Sequence, residues 1–263
     1  MNTSRKTYKL VLSAILSAIV IVLRFIPAVG FIPLGPFELT TLIIPVILGG
    51  IYGGPYVGMI VGFVFGIMSL SMVGQNPVFY PVWLTGEFRN YFLICVTTIV
   101  PRILIGLFSA LVYKATKKIP QKISIVLLAI IGLTMLGFST FKLISLLTSG
   151  AVFGKFYIFI LMISSIIGVG IWLVLTIGKR SISIVLASGV GALTNTILFL
   201  LFTYWFFAGI FVKLVPEILG NTNGAVGNFL FTIGIANGIP ELVVTIILVS
   251  AVAVAIKPKE LKD

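Results

Sequence analysis

The sequence predicts an all-α protein, a polytopic bundle of about eight membrane-spanning helices in a single transmembrane domain over residues 1–263. Three observations predict it. The chain is 59% hydrophobic and 9% charged, too little charge to cover a soluble fold of this length; its mean hydropathy is +1.25. The apolar residues fall in runs long enough to cross a bilayer. Finally, Gly54, Gly58, Gly62 and Gly66 recur every fourth residue in and beside the apolar run 55–71. That spacing puts them on one helix face. In lipid, helices associate through close backbone approach rather than water exclusion, so such a face is a packing surface.

Eight apolar segments follow in order: 8–27, 38–53, 55–73, 91–115, 123–142, 156–178, 182–208 and 229–256. The first follows a basic N-terminal stretch. Its apolar part, from Leu10 to Pro27, exceeds a cleaved signal core and reads as a retained helix. The second is short and glycine-rich, so a tilted or irregular segment is expected. Twelve of the 18 Lys and Arg residues fall in four tracts: before the first segment, between the fourth and fifth, between the sixth and seventh, and after the last. Eight crossings place all four tracts on one face, and the excess of positive charge makes that face, with both termini, cytoplasmic.

Composition also excludes function classes. A net charge of +12 resembles that of a nucleic-acid binder, but its placement between apolar runs is the positive-inside pattern, and no nucleic-acid partner is expected. The chain has no histidine and one cysteine, Cys95, so no internal disulfide, zinc or haem site is expected. No phosphate-binding G-x-x-x-x-G-K-[ST] loop occurs, and no paired carboxylates stand at catalytic spacing. The expectation is a non-enzyme without metal or cofactor.

The candidate ligand-contacting residues are the polar groups inside or just outside the apolar runs. Arg102 follows Pro101 within an apolar segment. A guanidinium there needs an anion, carbonyls or a water-filled cavity. Arg24 stands near the end of the first segment, where snorkelling to the interface is the competing reading. Asn237 and Glu241, spaced i,i+4, share a helix face across Pro240. Asn195 lies between Thr194 and Thr196. Each of these could contact a ligand or bond to a neighbouring helix. The outward connections, 27–38, 74–90 and 209–228, are rich in proline, aromatic and amide residues. They supply Glu38, Asn76 and Trp83, either as cover for a small molecule or as an interfacial belt. Ala14 and Ala18, with the four glycines, are candidate docking positions for another membrane subunit; internal packing is the alternative.

These pieces together resemble a known family: the substrate-binding S components of energy-coupling factor (ECF) vitamin transporters. The resemblance rests on Ala-Ile-Leu-Ser-Ala at 14–18, Ile-Pro-Leu-Gly-Pro-Phe-Glu-Leu-Thr-Thr at 32–41 and Ile-Pro-Val-Ile-Leu-Gly-Gly-Ile-Tyr-Gly-Gly-Pro at 44–55. It continues through Val-Gly-Phe-Val-Phe-Gly-Ile-Met-Ser-Leu at 61–70 and Ile-Val-Pro-Arg-Ile-Leu-Ile-Gly at 99–106. Further on come Gly-Ala-Leu-Thr-Asn-Thr-Ile-Leu at 191–198 and Asn-Gly-Ile-Pro-Glu at 237–241. It covers 1–118 and 181–257 and is closest to the pantothenate-type branch. It implies a six-helix core that binds one vitamin near the outer face under the loop joining the first two helices. It also implies a membrane coupling protein, docked at Ala14 and Ala18, and two cytoplasmic ATPases in a prokaryotic plasma membrane. Residues 119–180 depart from that pattern and read as an inserted two-helix hairpin. The rival functional class is a stand-alone ion-coupled secondary transporter, which membrane carboxylates such as Glu241 would serve.

Overall fold

The computed structural model describes residues 3–26, 29–34, 37–76, 79–117, 182–214 and 223–256. They form helices α1 (Thr3–Phe25), α2 (Ile43–Gly53), α3 (Pro55–Leu70), the single turn α4 (Tyr80–Trp83), α5 (Phe88–Thr116), α6 (Ile182–Leu214) and α7 (Asn223–Ala255). The expected segments 123–142 and 156–178, and with them the inserted hairpin, lie outside the described residues. Ser4–Phe25, Phe88–Thr116 and Ile182–Lys213 are long and apolar enough to cross a membrane by length and composition.

One feature departs from an all-helical chain. Strands β1 (Phe31–Leu34) and β2 (Phe37–Thr40) pair antiparallel, with Phe31 opposite Thr40 and Leu34 opposite Phe37. The second apolar run therefore turns helical at Ile43 rather than at 38. The physical reason is local: Pro33 and Pro36 oppose helix, and a short extended ribbon pairs its own backbone. Thr41 fastens the base of the hairpin. Its hydroxyl donates to the Val29 carbonyl at 2.7 Å, and its N–H donates to the Gly30 carbonyl at 3.0 Å.

Starting late makes α2 an eleven-residue helix, about 16 Å long at 1.5 Å per residue and so shorter than a full span. It is tolerated because it does not face lipid. Ile43, Val46, Ile47, Leu48 and Ile51 are all buried, with α1, α3, α5, α6 and α7 in contact around it. Gly54 then reverses the chain in one residue at φ 84°, a conformation that favours glycine, and Pro55 opens α3 at a position where its missing N–H costs nothing. At the far end of α2, the Tyr52 hydroxyl donates to the Ala253 carbonyl at 3.0 Å and ties α2 to the end of α7.

The glycine face of α3 meets α5. A Cβ at Gly58 would sit 2.6 Å from the Gly106 carbonyl oxygen, one at Gly62 would overlap the Arg102 carbonyl, and one at Gly66 would sit 2.9 Å from Ile99 Cα. These glycines let two backbones touch. Of the two expectations for Gly58, Gly62 and Gly66, internal packing and subunit docking, the close approach to the chain's own α5 matches the first. A Cβ at Gly54 would meet no described atom within 4 Å, and the role of this glycine is the turn. Ala14 and Ala18, by contrast, lie exposed on α1.

Two buried clusters hold the bundle. The larger centres on α2 and includes Leu16, Val20, Val46, Ile47, Val61, Phe65, Ile105 and Val249. The smaller joins the 73–82 connection to α5, α6 and α7 through Val73, Phe79, Val82, Ile94, Phe207 and Leu230. The pocket described below lies where the two meet, lined by Phe79 of the smaller cluster and by Arg102, whose ring neighbour Phe65 belongs to the larger.

Candidate ligand site

Arg102 is placed by a break in its own helix. Pro101 has no N–H to offer the Thr97 carbonyl one turn earlier. The Arg102 side chain turns back and donates from Nη1 to that oxygen at 3.4 Å. Its guanidinium lies 5.6 Å from the Phe65 ring centre and 5.1 Å from that of Phe199. Cation–π contacts at these distances are attractive, but they cannot replace the hydrogen bonds a guanidinium forms with water or an anion. Arg102 Nε is buried with no hydrogen-bond partner among the described residues.

The guanidinium borders a pocket of about 130 Å³. Phe31 of β1, Thr98 of α5, Phe199 of α6 and the 69–79 stretch, including Asn76 and Phe79, complete its wall. The base of the 31–40 hairpin and the 73–79 connection thus approach the same space from two sides. Phe79 packs edge-on against Phe199 and Phe207, with ring centres 5.4 and 5.8 Å apart. That packing fixes one wall. Asn76 orders the connection itself, since its Oδ1 accepts from the Phe79 N–H at 3.3 Å.

Behind Phe199, one helical turn along α6, a second polar group is buried. Asn195 Nδ2 donates to both carboxylate oxygens of Glu241, at 3.2 and 3.4 Å, and Thr196 Oγ1 donates to one of them at 3.2 Å. Glu241 is 3% exposed. No hydrogen bond or ion pair joins it to Arg102 among the described residues. Asn195 Oδ1 and Asn237 Oδ1 are also buried without hydrogen-bond partners among the described residues. Polar groups left in this state carry a desolvation cost that a ligand or a helix rearrangement could relieve.

The expected contact residues therefore separate. Arg102 and Asn76 line the pocket. Asn195 and Glu241, bonded to each other, lie outside the lining, as does Asn237, one turn before Glu241 on α7. Arg24 lies outside the lining, half-buried, with its guanidinium 6.0 Å from the Phe31 ring centre. Trp83 also lies outside: it is 42% exposed and rests on Tyr91, ring centres 4.6 Å apart. Glu38 stands on β2 opposite Pro33. Sequence reasoning overlooked Thr98 and Phe199. Helix spacing could have found them, since Thr98 is one turn from Arg102 and Phe199 one turn from Asn195.

Among the described residues no group of His, Cys, Asp and Glu side chains is arranged to hold a metal ion. No curated protein matches the chain. Residues 8–178 match the family described as ECF transporter, substrate-specific component. That span includes 119–178, the region expected to be an insertion, and stops short of the 181–257 stretch that carried part of the resemblance. It covers more than half of the sequence, and the chain therefore belongs to the family of ECF transporter substrate-specific components, membrane subunits that bind a transporter's substrate and not enzymes.

Proposed function

We propose that this subunit captures a small anionic vitamin in the Arg102 pocket, with pantothenate the first candidate, and delivers it inward with a coupling protein and two ATPases. The observation that carries the reading is Arg102: a buried guanidinium bordering a pocket with an unpartnered Nε, held between two aromatic rings. A ligand carboxylate would supply the charge-assisted hydrogen bonds that this group lacks. Phe31, Phe79 and Phe199 would cover the apolar part of the ligand. The hairpin carrying Phe31 is pinned by Thr41 at its base, which holds that ring at the pocket wall. In this reading the chain sits in a prokaryotic plasma membrane with both termini cytoplasmic, and the pocket opens outward.

The test is calorimetry on the detergent-purified protein against pantothenate, riboflavin, folate, thiamine, biotin and cobalamin, with no nucleotide present. Tight binding of one carboxylate-bearing ligand is expected. Binding only of thiamine, a cation, would overturn the anionic assignment. Uptake that persists without any ATPase and collapses with an uncoupler would favour ion coupling instead. Because Trp83 stands outside the pocket, Trp83→Ala is expected to leave the dissociation constant within about twofold, the range of a surface substitution. A tenfold loss measured by the same calorimetry would place the indole over the ligand.

A further inference from the structure

A groove runs along the outside of the bundle between the N-terminal half of α1 and the start of α3. Lys6, Lys9, Leu10, Ala14, Tyr56 and Ile60 line a volume of about 500 Å³. The two ends of this groove differ in chemistry. Lys6 and Lys9, spaced i,i+3 and exposed, stand at one end. The rest is mostly apolar and shallow-floored, with Ser13 and Ser17 the other polar residues of its lining. Ala14 is short, and the Ser13 hydroxyl turns away to donate to the Lys9 carbonyl at 2.8 Å. Leu10 and Tyr56 are 71% and 68% exposed, so the groove opens sideways toward lipid rather than into the bundle.

Neither α1 nor α3 contains an acidic residue. The lysine pair therefore has no counter-charge on the helices that form the groove. Lys114 and Lys117 close α5 at the same end of the bundle, and Tyr8, Tyr52 and Tyr113 gather there too. Basic and tyrosine residues at one level mark the headgroup region of a bilayer. An uncharged lipid would fill the apolar part and leave the lysines unmatched. An anionic one satisfies both parts at once.

We infer that this groove binds one anionic phospholipid, with its phosphate between Lys6 and Lys9 and one acyl chain laid across Ala14 between α1 and α3. The site is separate from the Arg102 pocket, and the inference does not depend on which vitamin is carried. It does place a lipid on part of the face that carries Ala14, so a subunit docking there would have to displace it.

The experiment is native mass spectrometry of the full chain from micelles containing equal amounts of palmitoyl-oleoyl phosphatidylglycerol and phosphatidylcholine. Phosphatidylglycerol is expected to be retained about 30-fold more, the effect of two lysines near a phosphate. The exposed double variant Lys6→Gln/Lys9→Gln should lower its retention to that of phosphatidylcholine, with the melting temperature unchanged. Lys114→Gln/Lys117→Gln, at the same level but outside the groove, should leave the preference intact. Ala14→Trp, which fills the groove, should reduce retention of both lipids. Equal retention of the two lipids by the unmodified chain would overturn the site, as would an unaltered preference in the Lys6/Lys9 variant. Equal damage from the Lys114/Lys117 variant would overturn it as well, since the preference would then be a general effect of surface charge.

Discussion

Arg102→Ala is expected to weaken binding of a carboxylate ligand by about 30-fold or more, corresponding to about 2 kcal/mol, while leaving the protein folded. The direction follows from what surrounds the guanidinium. Phe65 and Phe199 sandwich it, Nη1 donates to the Thr97 carbonyl, and Nε has no partner among the described residues. Removing the side chain relieves a buried cation, and the Glu241 carboxylate keeps its own bonds from Asn195 and Thr196, so the unliganded protein stays folded. The bound state loses its charge-assisted bonds and leaves the ligand carboxylate facing apolar rings. Arg102→Lys should recover only part of the affinity. An ammonium keeps the charge but not the planar fork, and it stacks less well between rings. Calorimetry on the three proteins checks the series. An unchanged dissociation constant in folded Arg102→Ala would remove Arg102 from the site and take the proposed ligand chemistry with it.

Glu241 sharpens that test. Asn195 and Thr196 hold its carboxylate by hydrogen bonds, and no ion pair joins it to Arg102 among the described residues. Such an arrangement offsets the cation without occupying its donors. The pocket can thus keep an unpaired guanidinium bond-ready while the bundle interior stays close to neutral. A ligand carboxylate brings a second negative charge to the same cation. Glu241→Gln, which keeps the shape and removes the competing charge, should then tighten binding of an anionic ligand rather than weaken it.

The helices were legible in the sequence because hydropathy and length decide them in a membrane. The α3 boundaries, Pro55 and Leu70, fall close to the expected 55–73, where Gly54–Pro55 punctuates the chain. The β1–β2 hairpin was not legible. Its prolines read as a loop, and four-residue strands are too short to show alternation. Partners across the bundle were also beyond the sequence. The four-residue spacing marked Gly58, Gly62 and Gly66 as a contact face but could not say that α5 fills it. Arg102 stood out because a charge in an apolar run is rare. Phe199 was overlooked among the many aromatic residues of α6: its one-turn spacing from Asn195 put it on a candidate face, but only the fold sets its ring against the guanidinium. Trp83 was drawn in by its loop composition, whereas in the fold it rests on Tyr91.

Gly62→Ala is expected to destabilise the protein by about 1–3 kcal/mol and to loosen ligand binding with it. A methyl group at this position would overlap the Arg102 carbonyl. The obstacle is backbone, which cannot rotate away as a side chain could. The two helices must therefore separate, and the residue they move is the one bordering the pocket. Gly106→Leu should be more severe, because Gly106 lies against the Gly58 backbone at the closest point of the same crossing. Loss of the monodisperse peak in gel filtration is the expected result. Gly209 supplies the opposite sign. It lies within α6, and a Cβ added there would have no described atom within 4 Å. Gly209→Ala therefore meets no obstacle and gains helix propensity, about 1 kcal/mol. Thermal unfolding in one detergent should rank the three as Gly209→Ala at or above the parent, Gly62→Ala below it and Gly106→Leu lowest. The ranking separates close approach from glycine content: if all three glycines served only as flexible residues in apolar helices, each substitution would raise the melting temperature. A Gly62→Ala protein as stable as the parent would mean that α3 and α5 do not meet through this face, and the placement of Arg102 would fall with it.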